Sequence, residues 1–396
     1  MSVIALTVVV SVVAGCASLA PRVECTDERK RVRPTDGTYR VVRAGSYSLV
    51  GSIDFNVEGT HMRRAIGVIL VVLGSLFIGI GLLAKPYLYD QLAIAPLDQE
   101  STSISQGTDM AVLYPHVVDG APAIDKLTGV KVVSTRQVVG IPGVPAEAGV
   151  EDTDAFWQTT VKSQAEVDGQ MVDLSFSDTG VSLDRRSGET TNCCGDYTST
   201  GDLDDPTSQK DITHEGLYFK FPFGVQKTTY QWWDADIERA VPIEFQGEDE
   251  INGTPVYVFK QTIAPEAISA IEAPASLFEE GAEGTVTATE MYSNTRTLWV
   301  EPVTGVVIDG NEELNTVYEA DGYEPVAKTV GTIGFDEDTV NKNAADWGAK
   351  ASLLSFIDDW LLLVGLVLGF LLVGLGAYLL LRPNVPAAER ATSRHA

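Results

Sequence analysis

Seven aromatic side chains fall within residues 218–233, the segment with the clearest capacity for binding chemistry. Aromatic faces next to an acid such as Asp234 can stack on sugar rings, and aromatic walls also line lipid pockets. The same side chains can instead fill the core of a β domain. We predict a ligand-binding role for six of them: Tyr218, Phe219, Phe221, Phe223, Trp232 and Trp233.

The acidic and histidine residues do not form a second recognisable site. Residues 177–180 read Ser-Asp-Thr-Gly, like the aspartic-protease triplet, but that chemistry needs two carboxylates that share a proton. The sequence has one copy, which we interpret as a strand-to-turn junction. His116 and His214 are too few for a histidine metal cluster and give little support for a Ser-His-Asp triad. We therefore predict no catalytic residue, no metal site and no cofactor.

Residues 188–211 are rich in Gly, Ser, Thr and Asp, which predicts a solvated loop. Asp202, Asp204 and Asp205 could supply oxygen ligands to calcium, but their spacing is not that of an EF-hand, so an acidic loop is the preferred interpretation. The same segment holds the adjacent Cys193–Cys194 pair. Two vicinal cysteines are not a disulfide framework, and the pair can be plain or weakly redox-active.

Charge excludes one class of partner. The chain has 28 Lys and Arg against 55 Asp and Glu, a formal net charge of −27. The imbalance is concentrated between residues 86 and 358, which contain 15 basic and 47 acidic residues. Such a surface repels phosphate backbones and attracts basic partners, so nucleic-acid binding is not expected.

Two uncharged apolar runs are long enough to cross a membrane. Residues 65–84 and 360–381 each match the roughly 20 residues that a helix needs to span a bilayer. Arginines lie outside both runs, at positions 63, 64, 382, 390 and 394. Because basic flanks stay cytoplasmic, we predict both termini inside and the central region outside the plasma membrane. The predicted spans are 62–85 and 359–382, followed by a short cytoplasmic tail, 383–396.

Small residues in the two spans predict that they pack together. Gly67, Gly74 and Gly81 repeat every seven residues in the first span, and Gly365 and Gly369 form a small-xxx-small pair in the second. Glycines at such spacing allow close approach of helix backbones.

The first 61 residues are set apart from the fold. Residues 13–16 read Val-Ala-Gly-Cys, like a lipoprotein cleavage box at Cys16, but no basic n-region precedes them. The Met62-Arg63-Arg64 sequence directly before the apolar run is typical of a translation start. We favour an over-extended start over a genuine leader.

Residues 86–358 predict one acidic, mostly β domain with one or two short helices. Strand-like alternation occurs at 131–139, 255–261, 285–292 and 295–300, and residues 297–309 predict a hairpin. The Ala, Ile, Leu and Glu spacing of 265–280 predicts the one clear helix. No repeat of 20 to 50 residues is present, which argues against a solenoid or propeller.

The chain from 62 to 382 resembles the actinobacterial DUF3068 family, also called the porin PorA family. The resemblance rests on the Met-Arg-Arg start and on four later motifs: Ala-Pro-Leu-Asp at 95–98, Asp-Arg-Arg-Ser-Gly at 184–188, the aromatic segment 216–224 with Trp233-Asp234, and Leu-Trp-Val-Glu-Pro-Val-Thr-Gly at 298–305. It implies an integral envelope protein with a suggested link to lipoglycan assembly.

Together these features predict a noncatalytic envelope protein that binds or hands over a lipid, a glycolipid or an assembly partner. Two alternatives remain open: a membrane-tethered enzyme or enzyme subunit that uses acids such as Asp184 or Asp234, and a structural scaffold. Two carboxylates about 5–10 Å apart in a cleft would favour the enzyme, and a deep apolar cavity would favour the binding protein.

Overall fold

The computed structural model describes residues 56–118, 120–199 and 208–382. In these residues the chain forms two long helical segments and one twelve-stranded antiparallel sheet. The helices are α1 (Asn56–Leu83), α2 (Asp90–Leu92), α3 (Gly143–Ala148), α4 (Glu337–Ser355) and α5 (Leu361–Leu381). The strands are β1 (Glu100–Val118), β2 (Ala121–Gly140), β3 (Asp154–Val167), β4 (Gln170–Asp184), β5 (Tyr197–Ser199), β6 (Gln209–Asp211), β7 (Tyr230–Asp234), β8 (Arg239–Ile251), β9 (Thr254–Pro274), β10 (Thr285–Val300), β11 (Val307–Glu319) and β12 (Val326–Phe335).

The sheet is built from two meanders that join at the first and last strands. Its order is β6-β5-β4-β3-β2-β1-β12-β11-β10-β9-β8-β7. Because β1 pairs with β12, the points where the chain enters and leaves the sheet lie side by side. This pairing brings the helical segments that precede β1 and follow β12 to the same end of the domain.

The segment after β6 links the two edges of the sheet. Leu217 bridges Glu189, which follows β4, and Trp232 in β7. The Leu217 amide donates to the Gln231 carbonyl at 2.8 Å. Gly216 has a φ of +66°, and a Cβ there would lie 2.5 Å from the same Gln231 carbonyl oxygen. A glycine is therefore required where this segment approaches β7.

Two helical stretches in the described residues, His61–Leu92 and Glu337–Leu381, are long and apolar enough to cross a membrane. Helices α1 and α5 pack against each other as the glycine spacing predicts. A Cβ on Gly74 would lie 2.6 Å from the carbonyl oxygen of Gly369, and one on Gly67 would lie 3.0 Å from that of Gly376. The predicted packing is confirmed. The distal ends of the two helices also meet, since Arg63 Nη2 donates to the Arg382 carbonyl at 2.8 Å.

Most strand predictions are confirmed. Residues 131–139, 255–261, 285–292 and 295–300 all lie in strands, and the predicted 297–309 hairpin is the β10–β11 connection. Residues 177–180 lie wholly within β4, so the strand-to-turn interpretation is wrong. Their pairing with β3 on one side and β5 on the other keeps them extended.

The helix prediction for 265–280 is wrong, because β9 continues to Pro274 and only a 3₁₀ turn, Ala275–Leu277, follows. Pairing of this segment with β10 buries Ala273 and Ala288, so tertiary contacts override the local helix propensity. The sequence reading also missed α4. Asp336 caps α4 by accepting from the Thr339 amide at 2.9 Å.

The predicted loop 188–211 contains two short strands, β5 and β6, while Asp202, Asp204 and Asp205 lie outside the described residues. Cys16 and the whole of 1–55 also lie outside them, as does the tail after Arg382.

The β1–β2 hairpin projects beyond its neighbours. Strand β2 pairs with β3 only over residues 132–140, and β1 pairs with β12 only over 105–112. The rest of the hairpin pairs only with itself. Its tip exposes large apolar side chains, of which Val117 is 69% accessible.

Candidate functional site

Two of the six predicted ligand-binding aromatics lie in the main apolar core. Phe221 is fully buried and Trp232 is 7% exposed. The Phe221 ring centroid lies 4.5 Å from that of Phe259 and 5.2 Å from that of Trp232. Leu298 and Val300 complete the contact from β10. We call the sheet face that carries Leu298 and Val300 the inner face.

Three of the other aromatics, Tyr218, Phe219 and Trp233, form a second group around His214. Trp233 is buried, and its ring packs edge-on against His214 at 4.9 Å. Tyr218 contacts His214 and Phe219, with centroids 5.3 and 4.7 Å apart. Five of the six aromatics therefore fall into two clusters, whereas Phe223 lies against Lys220, whose Nζ is 4.1 Å from the ring centre. The ligand-binding role stays a prediction, and the partly accessible members, Tyr218, Phe219 and Phe223, are those that a ligand could reach.

A tight turn after β10 holds the aromatic segment in place. The Glu301 carboxylate accepts from the amides of Val303 and Thr304 at 2.9 and 2.7 Å. The Gly305 carbonyl then accepts from the Phe221 amide at 2.7 Å. Gly305 has a φ of +75°, and a Cβ there would lie 2.1 Å from the Phe221 carbonyl oxygen. The two motifs interlock through backbone hydrogen bonds and leave no room for a side chain at 305.

Directly beyond the apolar core, the inner face becomes polar around Arg296. Its Nε donates to Glu312 at 3.0 Å, its Nη1 donates to Gln261 at 2.6 Å, and its Nη2 donates to both Asp234 and Glu312, at 3.1 and 3.2 Å. Tyr292 donates to Asp234 at 3.0 Å. We call these residues together with Asn294 the Arg296 network. One guanidinium therefore holds two carboxylates, one from β7 and one from β11.

The charges in the Arg296 network shift the pKa values of Glu312 and Tyr292 within it and of Asp236 nearby. Burial alone would raise the pKa of Glu312, but the charge of Arg296 and its hydrogen bonds lower that pKa below the usual value. Burial, followed by repulsion from Asp234 and Glu312, raises the pKa of Asp236 to about 6. Burial and the Asp234 charge also raise the pKa of Tyr292, which therefore stays a hydrogen-bond donor.

Lys220 is a buried cation in the aromatic segment. Its Nζ donates to the Phe221 carbonyl at 2.5 Å and lies 4.1 Å from the centre of the Phe223 ring. Burial lowers the pKa of Lys220 to about 7, and the charge of Asp184 opposes that shift. An amine with this pKa is only partly charged at neutral pH.

The vicinal cysteines are joined by a disulfide. Asn192, directly before the disulfide, exchanges hydrogen bonds of 2.8 Å with the backbone amide and carbonyl of His214. These bonds anchor the disulfide segment to the buried His214–Asp196 pair. His214 Nδ1 lies 2.8 Å from Asp196 Oδ2. Ser182 donates to the same carboxylate rather than to the histidine. This geometry lacks the nucleophile-to-base contact of a catalytic triad.

A groove of about 460 Å³ lies between α4 and the turns that precede β9 and follow β10. Helix α4 contributes Ala345, Gly348, Ala349 and Ser352, and the two turns contribute Pro255 and Val303 among others. The lining is mostly small or apolar. The volume falls within the range of about 300–1,000 Å³ that is usual for small-molecule sites.

Comparisons with known proteins identify relatives of this chain. The family model described as "Porin PorA" matches residues 66–378, which is most of the chain. The chain belongs to the PorA family. It is similar to the Porin PorA of Corynebacterium amycolatum, with 24% identity over 312 residues that cover 66% of this chain and 80% of that protein. The Porin PorA of Corynebacterium resistens is 22% identical over 334 residues, covering 66% of this chain and 78% of the relative.

The structure gives each motif of the PorA resemblance a local role. Asp184 accepts from the amide and hydroxyl of Ser187 at 2.7 and 2.9 Å, which closes its turn. Arg185 Nε donates to the Ala95 carbonyl at 2.8 Å, and Arg186 Nη2 donates to the Asp90 carbonyl at 3.0 Å. This turn therefore connects the sheet to the chain that leaves α1.

The sequence reading of this PorA-family chain missed the Arg296 network and the α4 groove. Arg296, Glu312 and Gln261 stand on three different strands, and only the pairing of β10 with β9 and β11 brings them together. One available signal was the inward alternation of polar Tyr292, Asn294 and Arg296 before the apolar Leu298.

Proposed function

We propose that this chain is a noncatalytic integral protein of the plasma membrane that binds a lipid or glycolipid chain and hands it to a partner during envelope assembly. Both termini lie in the cytoplasm, and the β domain lies outside. The observation that carries the proposal is the apolar groove along α4, because α4 leads directly into the apolar helix α5.

The position of the groove favours a chain drawn from the membrane. Leu353, Phe356 and Trp360 expose large apolar surfaces immediately before α5, as expected of residues at the membrane surface. Ser352 and Ser355, at the end of α4 nearest α5, also line the groove. In this proposal that end of the groove opens next to the membrane surface. Each methylene of a lipid chain buried there contributes about 0.8 kcal/mol, which suits reversible binding by a short contact.

The acids named for an enzyme have other partners. Asp184 closes its own turn, and hydrogen bonds from Ser187 lower its pKa although burial opposes them. Asp234 is buried against Arg296 and Tyr292. Neither is available to donate a proton to a substrate, which favours binding over catalysis.

The name of the relatives suggests pore formation as an alternative. Gly74 and Gly369 bring the backbones of α1 and α5 into contact, so this pair of helices leaves no channel between them.

Lipid retention tests the groove. The full chain is purified in mild detergent and the copurifying lipids are measured by mass spectrometry. Ala349→Trp places a large side chain in the groove, whereas Ala349→Ser at the same position preserves its volume. We expect Ala349→Trp to retain several-fold less lipid than the other two proteins. Equal retention by all three would leave the scaffold as the better proposal.

Thiol labelling in intact cells tests the orientation, in a chain that lacks Cys16 and Cys25. A cysteine at exposed Asp321 should react with an impermeant reagent, and one at Ser393 should react only after lysis. Labelling of Ser393→Cys in intact cells would reverse the topology.

A further inference from the structure

The disulfide between Cys193 and Cys194 crosslinks no distant parts of the chain. The two cysteines are adjacent in sequence, so the bond closes only a small ring around their shared peptide bond. The stabilisation that a disulfide derives from loop closure grows with the length of the loop and is smallest for adjacent residues. Cys193 is exposed to solvent and Cys194 is half-buried. The bond is therefore accessible to a reductant, and loop closure does not account for its presence.

The two flanks of the disulfide ring hold the same histidine. Before the ring, the Asn192 side chain exchanges hydrogen bonds of 2.8 Å with the backbone amide and carbonyl of His214. After the ring, Asp196 Oδ2 lies 2.8 Å from His214 Nδ1. The Cys193 amide donates to Ser182 Oγ at 3.1 Å, and this hydroxyl donates to Asp196. The geometry of the ring therefore sets the spacing between the two residues that position His214.

The backbone on both sides of the ring is left-handed. Asn192 has a φ of +52° and Gly195 a φ of +82°. A residue other than glycine seldom adopts this conformation, which persists where surrounding contacts impose it. For Asn192 these contacts are its two hydrogen bonds to His214 and the ring that follows it. Opening the ring removes one of the two constraints, so Asn192 can relax away from His214.

His214 connects the disulfide segment to the aromatic cluster around it. Its ring centroid lies 4.9 Å from that of Trp233 and 5.3 Å from that of Tyr218. His214 Nε2 is buried and has no hydrogen-bond partner among the described residues, so the imidazole is held by Asp196 alone. Displacement of Asp196 would therefore release the imidazole and loosen the aromatic rings that pack against it.

We propose that the disulfide with its flanking residues Asn192 and Asp196 is a redox latch, which a protein dithiol of the thioredoxin type opens to release His214. A thiolate of the reductant attacks Cys193 Sγ, and the Cys194 sulfur leaves as a thiolate that takes up a proton. The second thiol of the reductant then displaces the Cys193 sulfur. The chain gains two electrons and two protons, and the reductant becomes a disulfide. The latch shares no residue with the lining of the α4 groove and does not depend on lipid binding there.

Hydrogen exchange followed by mass spectrometry tests the latch. The full chain in detergent carries Cys16→Ser and Cys25→Ser, which leaves the adjacent pair as its only cysteines. Dithiothreitol represents the protein dithiol. We expect it to reduce the pair in the folded chain and to speed exchange of the His214 amide at least tenfold, because that amide donates to Asn192. Exchange in β11 should not change.

Two outcomes of this measurement would overturn the proposal. The first is faster exchange that is limited to residues 192–196 and does not reach His214. The second is a disulfide that resists dithiothreitol until the chain unfolds, as detected by alkylation of the released thiols.

Variants separate the latch from a general loosening of the fold. The double variant Cys193→Ser with Cys194→Ser should exchange at His214 as fast as the reduced parent, with or without dithiothreitol. Asn192→Ala keeps the disulfide but loses its bonds to His214, so it should exchange fast even when oxidised. Gln246→Ala removes an exposed side-chain amide that donates to the Glu244 carbonyl, and it should keep the response of the parent.

The double serine variant also supplies the contradicting results. Protection of its His214 amide equal to that of the oxidised parent would show that the ring does not hold the histidine. Fast exchange throughout β11 in the same variant would show that the disulfide supports the whole sheet, which is equally incompatible with a local latch.

Discussion

The inner face of β10 contains two environments within five residues. Leu298 lies in the dry aromatic core, and Arg296, one inward position away, holds two carboxylates. The residues opposite them in β9 differ in the same way, since Leu298 pairs with Phe259 and Arg296 pairs with Gln261. Alternation along one strand thus determines which side chains face inward. The cross-strand partner determines whether that position is apolar or ionic.

The polar half of the inner face, around Arg296, should lose more stability than the apolar half, around Leu298, when one side chain is removed. Arg296→Met leaves Asp234 and Glu312 without their cation in a buried setting, and we expect the free energy of unfolding to fall by about 3–5 kcal/mol. Denaturant unfolding of the full chain in detergent measures this. Arg239→Met, which removes an exposed ion pair with Glu266, should cost under about 1 kcal/mol. Equal losses in the two variants would show that the buried pairing adds nothing.

The apolar half should respond almost as strongly. Phe221→Ala removes a fully buried ring from the core, at a cost of about 3–5 kcal/mol, and is expected to fall just short of Arg296→Met because it leaves no buried charge. Phe223→Ala, two positions away on a partly accessible ring, is the matched control and should cost clearly less. Thermal unfolding of both variants measures the difference. If Phe223→Ala were the more damaging, the division between core and surface aromatics would be wrong.

Lys220, at the margin of the apolar half, predicts a dependence on pH. Its folded pKa is about 7, whereas the unfolded chain keeps the ordinary value near 10.5. Between these values the unfolded state binds more protons, so stability should rise as pH increases from 7 toward 10. Lys220→Met should flatten this rise in unfolding temperature. The exposed Lys227→Met should retain it, and a slope unaffected by Lys220→Met would contradict the depressed pKa.

The smallest effect is expected at Asp236, whose carboxylate accepts no hydrogen bond from a described residue. Burial and the charges of Asp234 and Glu312 raise its pKa, so the ionised carboxylate is destabilising in the folded chain, and Asp236→Asn should raise the free energy of unfolding slightly at pH 7.5. Denaturant titration measures this. A loss comparable to that of Arg296→Met would mean that Asp236 belongs to the Arg296 network.

Local patterns predicted much of the architecture. The apolar runs, the glycine spacing and the β10–β11 hairpin are all encoded over short distances, and each is present. The helix prediction for residues 265–280 was wrong because Ala and Glu favour a helix locally, whereas pairing with β10 holds the segment as a strand as far as Pro274. Helix α4 was missed although Asp336 and the acidic first turn were readable as a helix start.

The sites were less predictable than the elements. The aromatic segment was visible because its residues are neighbours in sequence, yet its division into a core half and an accessible half depends on the turn at Glu301 and on Leu217. The Arg296 network assembles residues from four strands, β7, β9, β10 and β11, which become neighbours only in the folded sheet. A groove formed by α4 cannot be inferred when α4 itself is not recognised.

The length of the β1–β2 hairpin determines where its tip can act. Strand β1 has 19 residues and starts eight positions after α2 ends. At roughly 3.3 Å per residue, the strand extends roughly 60 Å from Glu100 to Val118. The apolar tip at Val117 and Val118 therefore lies a whole strand length away from the start of β1, where the preceding helical segment enters the sheet, and a partner that contacts the tip need not contact the helices.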